Sequence, residues 1–195
     1  KIGATFNPGA EICDNNIDDD GNNLIDCNDP VCSSKVVCRQ EEPQKLDLFV
    51  MSQCPFGVKA EKAMEEILEN FPNINFDLHF IANDNGDGTF SALHGQPEVD
   101  GNIRQSCVEK YYPNKFMDFI ICQTDNYQNI GSTWESCASQ NGISIEAIKT
   151  CAEGEEGKQL LRENIKLTNE LGIGSSPTWF ANNRYRFSGI DAETV

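Results

Sequence analysis

Apolar residues dominate the stretch from Leu46 to Met51 in a strand-like pattern, and the residues after it place apolar positions at helical spacing. This change of period predicts a strand that runs directly into an amphipathic helix, which Pro72 ends. Cys54 lies at the join, and Pro55 follows it at a position that suits the first turn of a helix. The apolar face of this helix consists of Ala60, Ala63, Met64, Ile67, Leu68 and Phe71.

A second strand is predicted at residues 75–82, where apolar and polar side chains alternate. Together with the first strand and the helix it forms a right-handed βαβ unit, which places Cys54 at the carboxyl end of the first strand. The Asn-, Asp- and Gly-rich residues 83–88 then predict a hairpin turn. A calcium loop beginning at Asn83 is the weaker interpretation, because its twelfth position is His94.

Residues 98–172 carry a helical pattern in several pieces, of which the last, 157–171, is long and amphipathic. A loop containing Ser176 and Pro177 then leads into an apolar strand and its hairpin partner. Asp191 is expected to cap a final helix. This order of elements is the layout of an α/β, thioredoxin-like fold with an inserted helical subdomain at about residues 98–172.

The first 42 residues are expected to form a separate module ahead of a thioredoxin-like domain at residues 43–195. They are rich in Asn, Asp and Cys and nearly lack aromatic side chains, so they cannot build an apolar core and need another source of stability. Residues 39–45, which are polar and broken by Pro43, are interpreted as the linker.

Within this module, residues 18–29 match the spacing of the twelve-residue calcium loop, although Asn23 replaces its usual glycine and the shorter Asp29 its usual glutamate. The surrounding segment resembles the Asp/Cys-rich calcium-binding repeats of secreted and surface bacterial proteins. Structural calcium is therefore the expected cofactor, and no organic cofactor is expected. The alternative is an acidic, disulfide-bonded segment that binds no ion tightly. The expected ligands are Asp18, Asp20, Asn22, the Leu24 carbonyl, Asp26 and Asp29.

The composition limits which classes of partner and which cellular compartment are expected. A formal charge of −16 argues against nucleic acid and anionic membranes as partners, and no apolar run is long enough for a membrane span. Nine cysteines favour an oxidising, extracytoplasmic location, whether secreted, periplasmic or lumenal. The number is odd, and if the other eight pair with one another, Cys54 is free. A zinc site that takes four of them is the weaker alternative, because neither a CxxC pair nor a nearby histidine supports it.

Cys54 is the candidate nucleophile. Free backbone N–H groups and the positive end of the helix dipole stabilise a thiolate at a helix N-terminus. Gly57 stands where a CxxC motif would have its second cysteine, although it is also explained as a glycine that merely weakens the first turn. His79 and His94 are interpreted as structural histidines, since neither belongs to a ligand-spaced pair.

These motifs resemble those of two groups of thiol oxidoreductases. DsbA-type proteins share the Phe49-x-x-x-x-Cys54-Pro arrangement and the Pro177-type loop. A longer similarity, over most of residues 45–190, is to the gamma-interferon-inducible lysosomal thiol reductase family. Ala92 and Val99 replace two cysteines of that family's signature. The matching positions are His94-Gly95, Asn102, Cys107-Val108, Cys151-Ala152, Gly154, Gly157, Gln159-Leu160, Asn164 and Thr168.

The resemblance implies that the Pro177 loop packs against Cys54 with a cis Ser176–Pro177 bond, and that backbone from Ser176 binds an extended substrate. Attack of the Cys54 thiolate on a substrate disulfide would then give a mixed disulfide. With Gly57 in the motif, an external thiol or a substrate cysteine must resolve it, unless Cys107 or Cys122 approaches. The expected partners are thus protein disulfide substrates or small thiols. The alternative is a redox-inactive secreted binding or scaffold module.

Overall fold

The computed structural model describes residues 9–193 and 195. The mixed α/β fold predicted from the sequence is confirmed. Its strands are β1 Lys45–Val50, β2 Asn75–Phe80, β3 Asn83–Asp84, β4 Phe90–Ser91, β5 Thr178–Ala181 and β6 Tyr185–Phe187. Its α-helices are α1 Pro55–Asn70, α2 Gln96–Tyr111, α3 Phe116–Thr124, α4 Ile130–Gln140, α5 Ile145–Glu153 and α6 Glu155–Glu170.

Four strands form the main sheet in the order β2-β1-β5-β6. β1 runs parallel to β2 and antiparallel to β5, so the βαβ unit predicted around Cys54 is present. Leu48 pairs with Leu78 on one side and Trp179 on the other, and all three are buried. This central row fixes β1 in the middle of the sheet, because a shift of one residue would turn these apolar side chains to the opposite face. β3 and β4 form the separate hairpin expected after β2.

Five helices between β4 and β5 make up the inserted subdomain, in agreement with the helical pattern at residues 98–172. Two disulfides tie these helices together. Cys107–Cys151 joins α2 to α5 across 44 residues, and Cys122–Cys137 joins α3 to α4 across 15 residues. Such cross-links stabilise the fold mainly by restricting the unfolded chain, by roughly 2–4 kcal/mol each.

The N-terminal module contains short 3-10 turns and two disulfides, Cys13–Cys32 and Cys27–Cys38. The four cysteines are therefore not available as zinc ligands. Residues 39–45, interpreted as the linker, contact the β5–β6 turn, and Lys45 is the first residue of β1. The Arg39 guanidinium donates to Asn183 Oδ1 at 2.8 and 3.0 Å, and the Glu42 N–H donates to the Asn182 carbonyl. The polar residues of this stretch are thus used to bind the β5–β6 turn.

The final helix expected from Asp191 is also absent from the described residues, where residues 191–193 form a bend and a turn. No helix among the described residues is long and apolar enough to cross a membrane.

Candidate functional site

Cys54 is the N-terminal cap residue of α1, and Pro55 is the first residue of that helix. The eight other cysteines all form disulfides, so Cys54 is the one free cysteine, as the odd count suggests. Its side chain is partly exposed, and its Sγ lies 3.7 Å from the Ser176 carbonyl oxygen. The sulfur therefore lies at a helix N-terminus, is reachable from solvent and contacts the loop before β5.

The loop before β5 carries the Ser176–Pro177 peptide bond, which is cis. Ser176 contacts the Cys54 segment at two points. Its carbonyl faces the sulfur, and its Oγ accepts a hydrogen bond from the Met51 N–H at 2.9 Å. The structure thus brings together Cys54, Ser176 and Pro177, which are far apart in the sequence.

The structure explains Gly57 by close packing. A Cβ atom at this position would lie 2.6 Å from Ser176 Oγ and 3.1 Å from the Met51 carbonyl oxygen. The first distance is shorter than real Cβ contacts allow and the second is tighter than most of them, so any larger side chain requires a neighbour to shift. Ser176 fills the space that a second cysteine of a CxxC motif would need. The interpretation of Gly57 as a mere weakening of the helix is therefore incomplete.

Glu98 is a site residue that the sequence analysis missed. Its carboxylate has no exposed surface. Its oxygens accept hydrogen bonds from the Gln53 N–H at 2.8 Å and from the His94 N–H at 3.1 Å, and lie 2.9 Å from His94 Nδ1. A buried carboxylate needs partners of this kind to offset its desolvation. The spacing of His94 and Glu98, four residues apart at a helix start, is the signal that points to their contact.

Ser52 and Asn102 form a second buried contact beside the cysteine. The Ser52 hydroxyl donates to Asn102 Oδ1 at 2.6 Å, and both residues are buried. Together with Glu98, Asn102 fixes the two residues that precede Cys54 to α2. Both histidines are engaged inside the fold, as the sequence suggests. His79 lies 3.0 Å from an Asp47 oxygen, whereas His94 belongs to the Glu98 contact.

Neither Cys107 nor Cys122 can serve as a resolving thiol in this state, because each is paired in a disulfide. Cys107 and Cys151 are also buried. Any mixed disulfide at Cys54 must therefore be resolved by a thiol from outside this chain.

The expected calcium loop brings some of its predicted ligands together. One carboxylate oxygen each from Asp18, Asp20 and Glu11 lie within 4.8 Å of one another. Asp18 also accepts hydrogen bonds from the Gly21 N–H at 2.7 Å and the Asn23 N–H at 2.9 Å. Three carboxylates at this separation repel one another unless a cation lies among them, and oxygen atoms are the ligands that calcium prefers. The donor set therefore fits the ion.

Other predicted ligands make different contacts in the structure. Asp26 accepts hydrogen bonds from the Asn15 and Asn16 N–H groups, each at 3.0 Å. Asp29 accepts from the Val31 N–H at 2.7 Å and from the Asn22 amide. The Leu24 N–H donates to Asn22 Oδ1 at 2.7 Å. Glu11 was not among the residues expected at this site, because it lies outside the twelve-residue loop.

Comparison with known proteins finds sequence similarity to thiol reductases. Residues 45–141 match the family model of Gamma interferon inducible lysosomal thiol reductase (GILT). GILT-like protein 1 of Drosophila melanogaster is 29% identical over 154 residues, which is 70% of this chain and 60% of that protein. The Gamma-interferon-inducible lysosomal thiol reductase of Carassius auratus is 25% identical over 138 residues, which is 66% of this chain and 55% of that protein.

Solved structures show the same fold at lower identity. BdbD from Bacillus subtilis has a TM-score of 0.61 at 16% identity, with 77% of this chain and 82% of that chain covered. ScsC from Proteus mirabilis has a TM-score of 0.57 at 15% identity, with 76% and 62% covered. A putative protein-disulfide isomerase from Pseudomonas syringae has a TM-score of 0.57 at 13% identity, with 78% and 90% covered.

The chain thus has a thioredoxin fold of the DsbA-like architecture. It is similar to gamma-interferon-inducible lysosomal thiol reductases over residues 45–141, which confirms the resemblance predicted from the sequence. The chain spans 60% and 55% of the length of the two curated relatives. That it shares their activity is therefore a proposal.

Proposed function

We propose that this protein is an extracytoplasmic thiol–disulfide exchange protein, of the reductase or isomerase type, with Cys54 as its single nucleophile. The observation that carries the proposal is the position of the one unpaired cysteine at the N-terminus of α1, in contact with Ser176. Four disulfides elsewhere in the chain support an oxidising compartment.

The first chemical step is attack of the Cys54 thiolate on one sulfur of a substrate disulfide. The substrate S–S bond breaks, a bond from Cys54 to the substrate forms, and the second substrate sulfur leaves as a thiolate that takes a proton from water. This step requires the thiolate form of Cys54, because the thiolate is the nucleophile in disulfide exchange.

The second step depends on an external thiol, because Gly57 cannot supply one. A small thiol attacks the mixed disulfide and releases Cys54 as a thiolate, and a second small thiol completes the reduction of the substrate. In the isomerase version, a free cysteine of the substrate attacks instead, and no net oxidation or reduction occurs. In neither version does Cys54 form a disulfide within its own motif.

The substrate chain is expected to lie along the Ser176 backbone. A groove of about 470 Å³ begins there, between the start of α1 and the last residues of the chain. Phe56, whose side chain is 55% exposed, forms one wall, and Pro177 and Ile190 form the others. This apolar surface beside a reactive sulfur supports binding of an extended protein segment rather than of a small thiol alone.

The test is catalysed reduction of insulin by excess glutathione in wild-type protein and in Cys54→Ser. We expect the catalysed rate to vanish in Cys54→Ser while the melting temperature stays close to that of the wild type, because only one sulfur atom is replaced. Wild-type protein incubated with a disulfide-linked peptide should gain one peptide adduct, at Cys54, by mass spectrometry. Equal reduction rates for the two proteins would refute the enzymatic proposal.

The alternative is a redox-inactive binding or scaffold module, which the filled space at Gly57 favours. Labelling of Cys54 with a thiol reagent, together with the insulin assay, distinguishes the two. That function predicts that Cys54 is inert to iodoacetamide in the native protein at pH 7. Modification of Cys54 in the native state, together with catalysed insulin reduction, would exclude it.

We further propose that the N-terminal module binds calcium, with Asp18, Asp20 and Glu11 among the ligands. An ion that binds only the folded state stabilises it by mass action. Removal of calcium with a chelator should therefore lower the melting temperature, and Asp18→Asn should show a lower value that the chelator does not change. Asp14→Asn, at an exposed acid outside the cluster, is the matched control and should respond like wild type. No response of the wild-type protein after verified removal of the ion would overturn the proposal.

A further inference from the structure

A cavity of about 600 Å³ lies away from Cys54, between the β3–β4 hairpin and helices α2, α4, α5 and α6. α2 separates it from the site. This helix presents Glu98 and Asn102 to the residues before Cys54, whereas Val99 and Ile103 line the cavity. The thiol chemistry proposed for Cys54 therefore makes no use of this space.

The cavity has an aromatic floor whose two rings contact cations: Arg104 and Lys149 lie over Trp134, and Arg162 lies over Phe90. Trp134 and Phe90 are only 5% and 7% exposed, and they line the cavity with Ile103. The Arg104 guanidinium lies over the Trp134 ring, 5.4 Å from its centroid. Contact with the Trp134 ring favours this position of the guanidinium beside the cavity.

Arg104 lacks hydrogen-bond partners among the described residues. Its Nη1 is buried and unpaired. The nearest carboxylate oxygen is Asp100 Oδ2, which lies 3.9 Å from Nη2 and is too distant for a hydrogen bond. Burial lowers the pKa of Arg104, but a guanidinium stays protonated in proteins. Arg104 lines the cavity, and no acceptor among the described residues lies within hydrogen-bond distance of its guanidinium, although buried donors are normally paired.

Two acidic side chains of the cavity are paired with other residues of its lining. Glu135 Oε1 lies 2.6 Å from the Lys149 ammonium nitrogen, and Asp100 Oδ1 accepts a hydrogen bond from the Gln96 side-chain amide at 2.8 Å. Glu153 and Lys158 also line the cavity, and the Lys158 ammonium lies 4.0 Å from a Glu155 carboxylate oxygen. In a chain with a net charge of −16, this lining is neutral overall, so an anion can enter without facing uncompensated negative charge.

We propose that this cavity binds a carboxylate attached to an aromatic or branched aliphatic group. The Arg104 guanidinium binds the carboxylate, and the apolar group packs against Trp134, Phe90 and Ile103. Arg is suited to this role because its planar donors match the two oxygens of a carboxylate. A free small carboxylic acid and the C-terminal residue of a peptide both present this chemistry.

Binding is best measured on the Trp134 indole, because the chain has two tryptophans and Trp179 donates its indole N–H to the Gly189 carbonyl inside the fold. In ¹H–¹⁵N spectra, titration with N-acetyl-L-phenylalanine should shift the Trp134 indole signal and leave the Trp179 signal in place. The neutral N-acetyl-L-phenylalanine amide should bind more weakly, by roughly ten- to hundredfold, since it lacks the charge-assisted hydrogen bonds. This comparison needs no mutation and so does not depend on the folding of a variant.

Arg104→Met should reduce the affinity for the acid to that of the amide, and Arg104→Lys should retain part of it. Lys110→Met is the matched control, because it removes a positive charge from the same helix outside the cavity. Titrations with 3-phenylpropanoate and with the peptide Gly-Gly-Phe distinguish a free carboxylic acid from a peptide C-terminus. The type of ligand that the cavity is built for should bind more tightly. Equal affinities for the acid and the amide, equal affinities of wild type and Arg104→Met, or no shift at 10 mM ligand would each overturn the proposal.

Discussion

Gly57 and Ser176 are in close contact at the position where a CxxC motif has its second cysteine. In the sequence, Gly57 is only the residue at which a second cysteine is missing. In the structure its Cα faces Ser176 Oγ, which is held by the Met51 N–H. Restoring a cysteine at position 57 therefore requires Ser176 to move as well, because the hydroxyl occupies the space that the new side chain would take.

Gly57→Ala should lower the free energy of unfolding by about 1–3 kcal/mol, because the added methyl group overlaps Ser176 Oγ and the Met51 carbonyl. In a Ser176→Ala background the loss should be smaller, since one of the two contacts is gone. Chemical denaturation of the four proteins gives the coupling between the two positions.

Gly131→Ala is the control, because Gly131 lies in α4 with no atom within 4 Å of the added Cβ. It should be neutral or stabilising by about 0.5–1 kcal/mol, as expected for alanine in a helix. Equal effects at positions 57 and 131, or full additivity of Gly57→Ala and Ser176→Ala, would contradict the packing explanation.

α2 is the element that connects the helical subdomain to the site. Its buried face is unusually polar for a helix packed in a core, and it includes Glu98, Asn102, Gln105 and Ser106. Two of these, Glu98 and Asn102, bind the residues before Cys54. The opposite face lines the Arg104 cavity. The sequence predicts helical pieces from residue 98 without separate bounds for α2, because a helix with a polar buried face gives a weak amphipathic pattern.

Glu98→Gln should lower the free energy of unfolding by about 1–3 kcal/mol, because one carboxylate oxygen becomes an NH₂ group that faces N–H donors. Denaturant unfolding measures the loss. Glu65→Gln is the control on an exposed position of α1 and should change stability by less than about 0.5 kcal/mol. A loss at Glu98 no larger than at Glu65 would show that these hydrogen bonds contribute little.

The molecule as a whole carries two buried carboxyl groups that oppose stability at high pH. Burial raises the pKa of Glu61, in α1, to about 8 from an ordinary value of 4.5, and Glu61 Oε1 has no hydrogen-bond partner. Burial also raises the pKa of Glu109, in α2, to about 7. In the folded state these groups keep their protons in a range where the unfolded chain has released them.

The sign follows from the proton count. Above pH 4.5 the unfolded chain binds fewer protons at these two groups than the folded protein does, so stability falls as the pH rises. Each group contributes a slope of about 1.4 kcal/mol per pH unit until the pH passes its folded pKa. We therefore expect these groups to lower the free energy of unfolding from pH 5 to pH 8, measured by denaturant titration without reductant.

Glu61→Gln should reduce this slope and be more stable than wild type at pH 8, because the amide never ionises. Glu65→Gln should follow the wild-type curve. A Glu61→Gln curve that runs parallel to the wild-type curve would show that Glu61 ionises normally in the folded protein.

Patterns local to the chain were enough to predict most of the fold. The period of apolar residues predicts β1, α1, β2 and the helical stretch, and α1 begins at Pro55 as its sequence indicates. The odd number of cysteines points to Cys54 as the free thiol, and the structure agrees. These predictions succeed because burial of an apolar face and the geometry of a helix start depend on neighbouring residues.

Contacts between distant segments required the folded chain. The cysteine pairs could not be chosen from four equivalent-looking residues in the N-terminal module. The sequence also could not predict that Glu98 binds the Gln53 N–H, that Ser176 contacts Gly57, or that Arg39 binds the β5–β6 turn. Each of these contacts joins side chains brought together by packing, and sequence spacing carries no information about which distant partner a polar group will find.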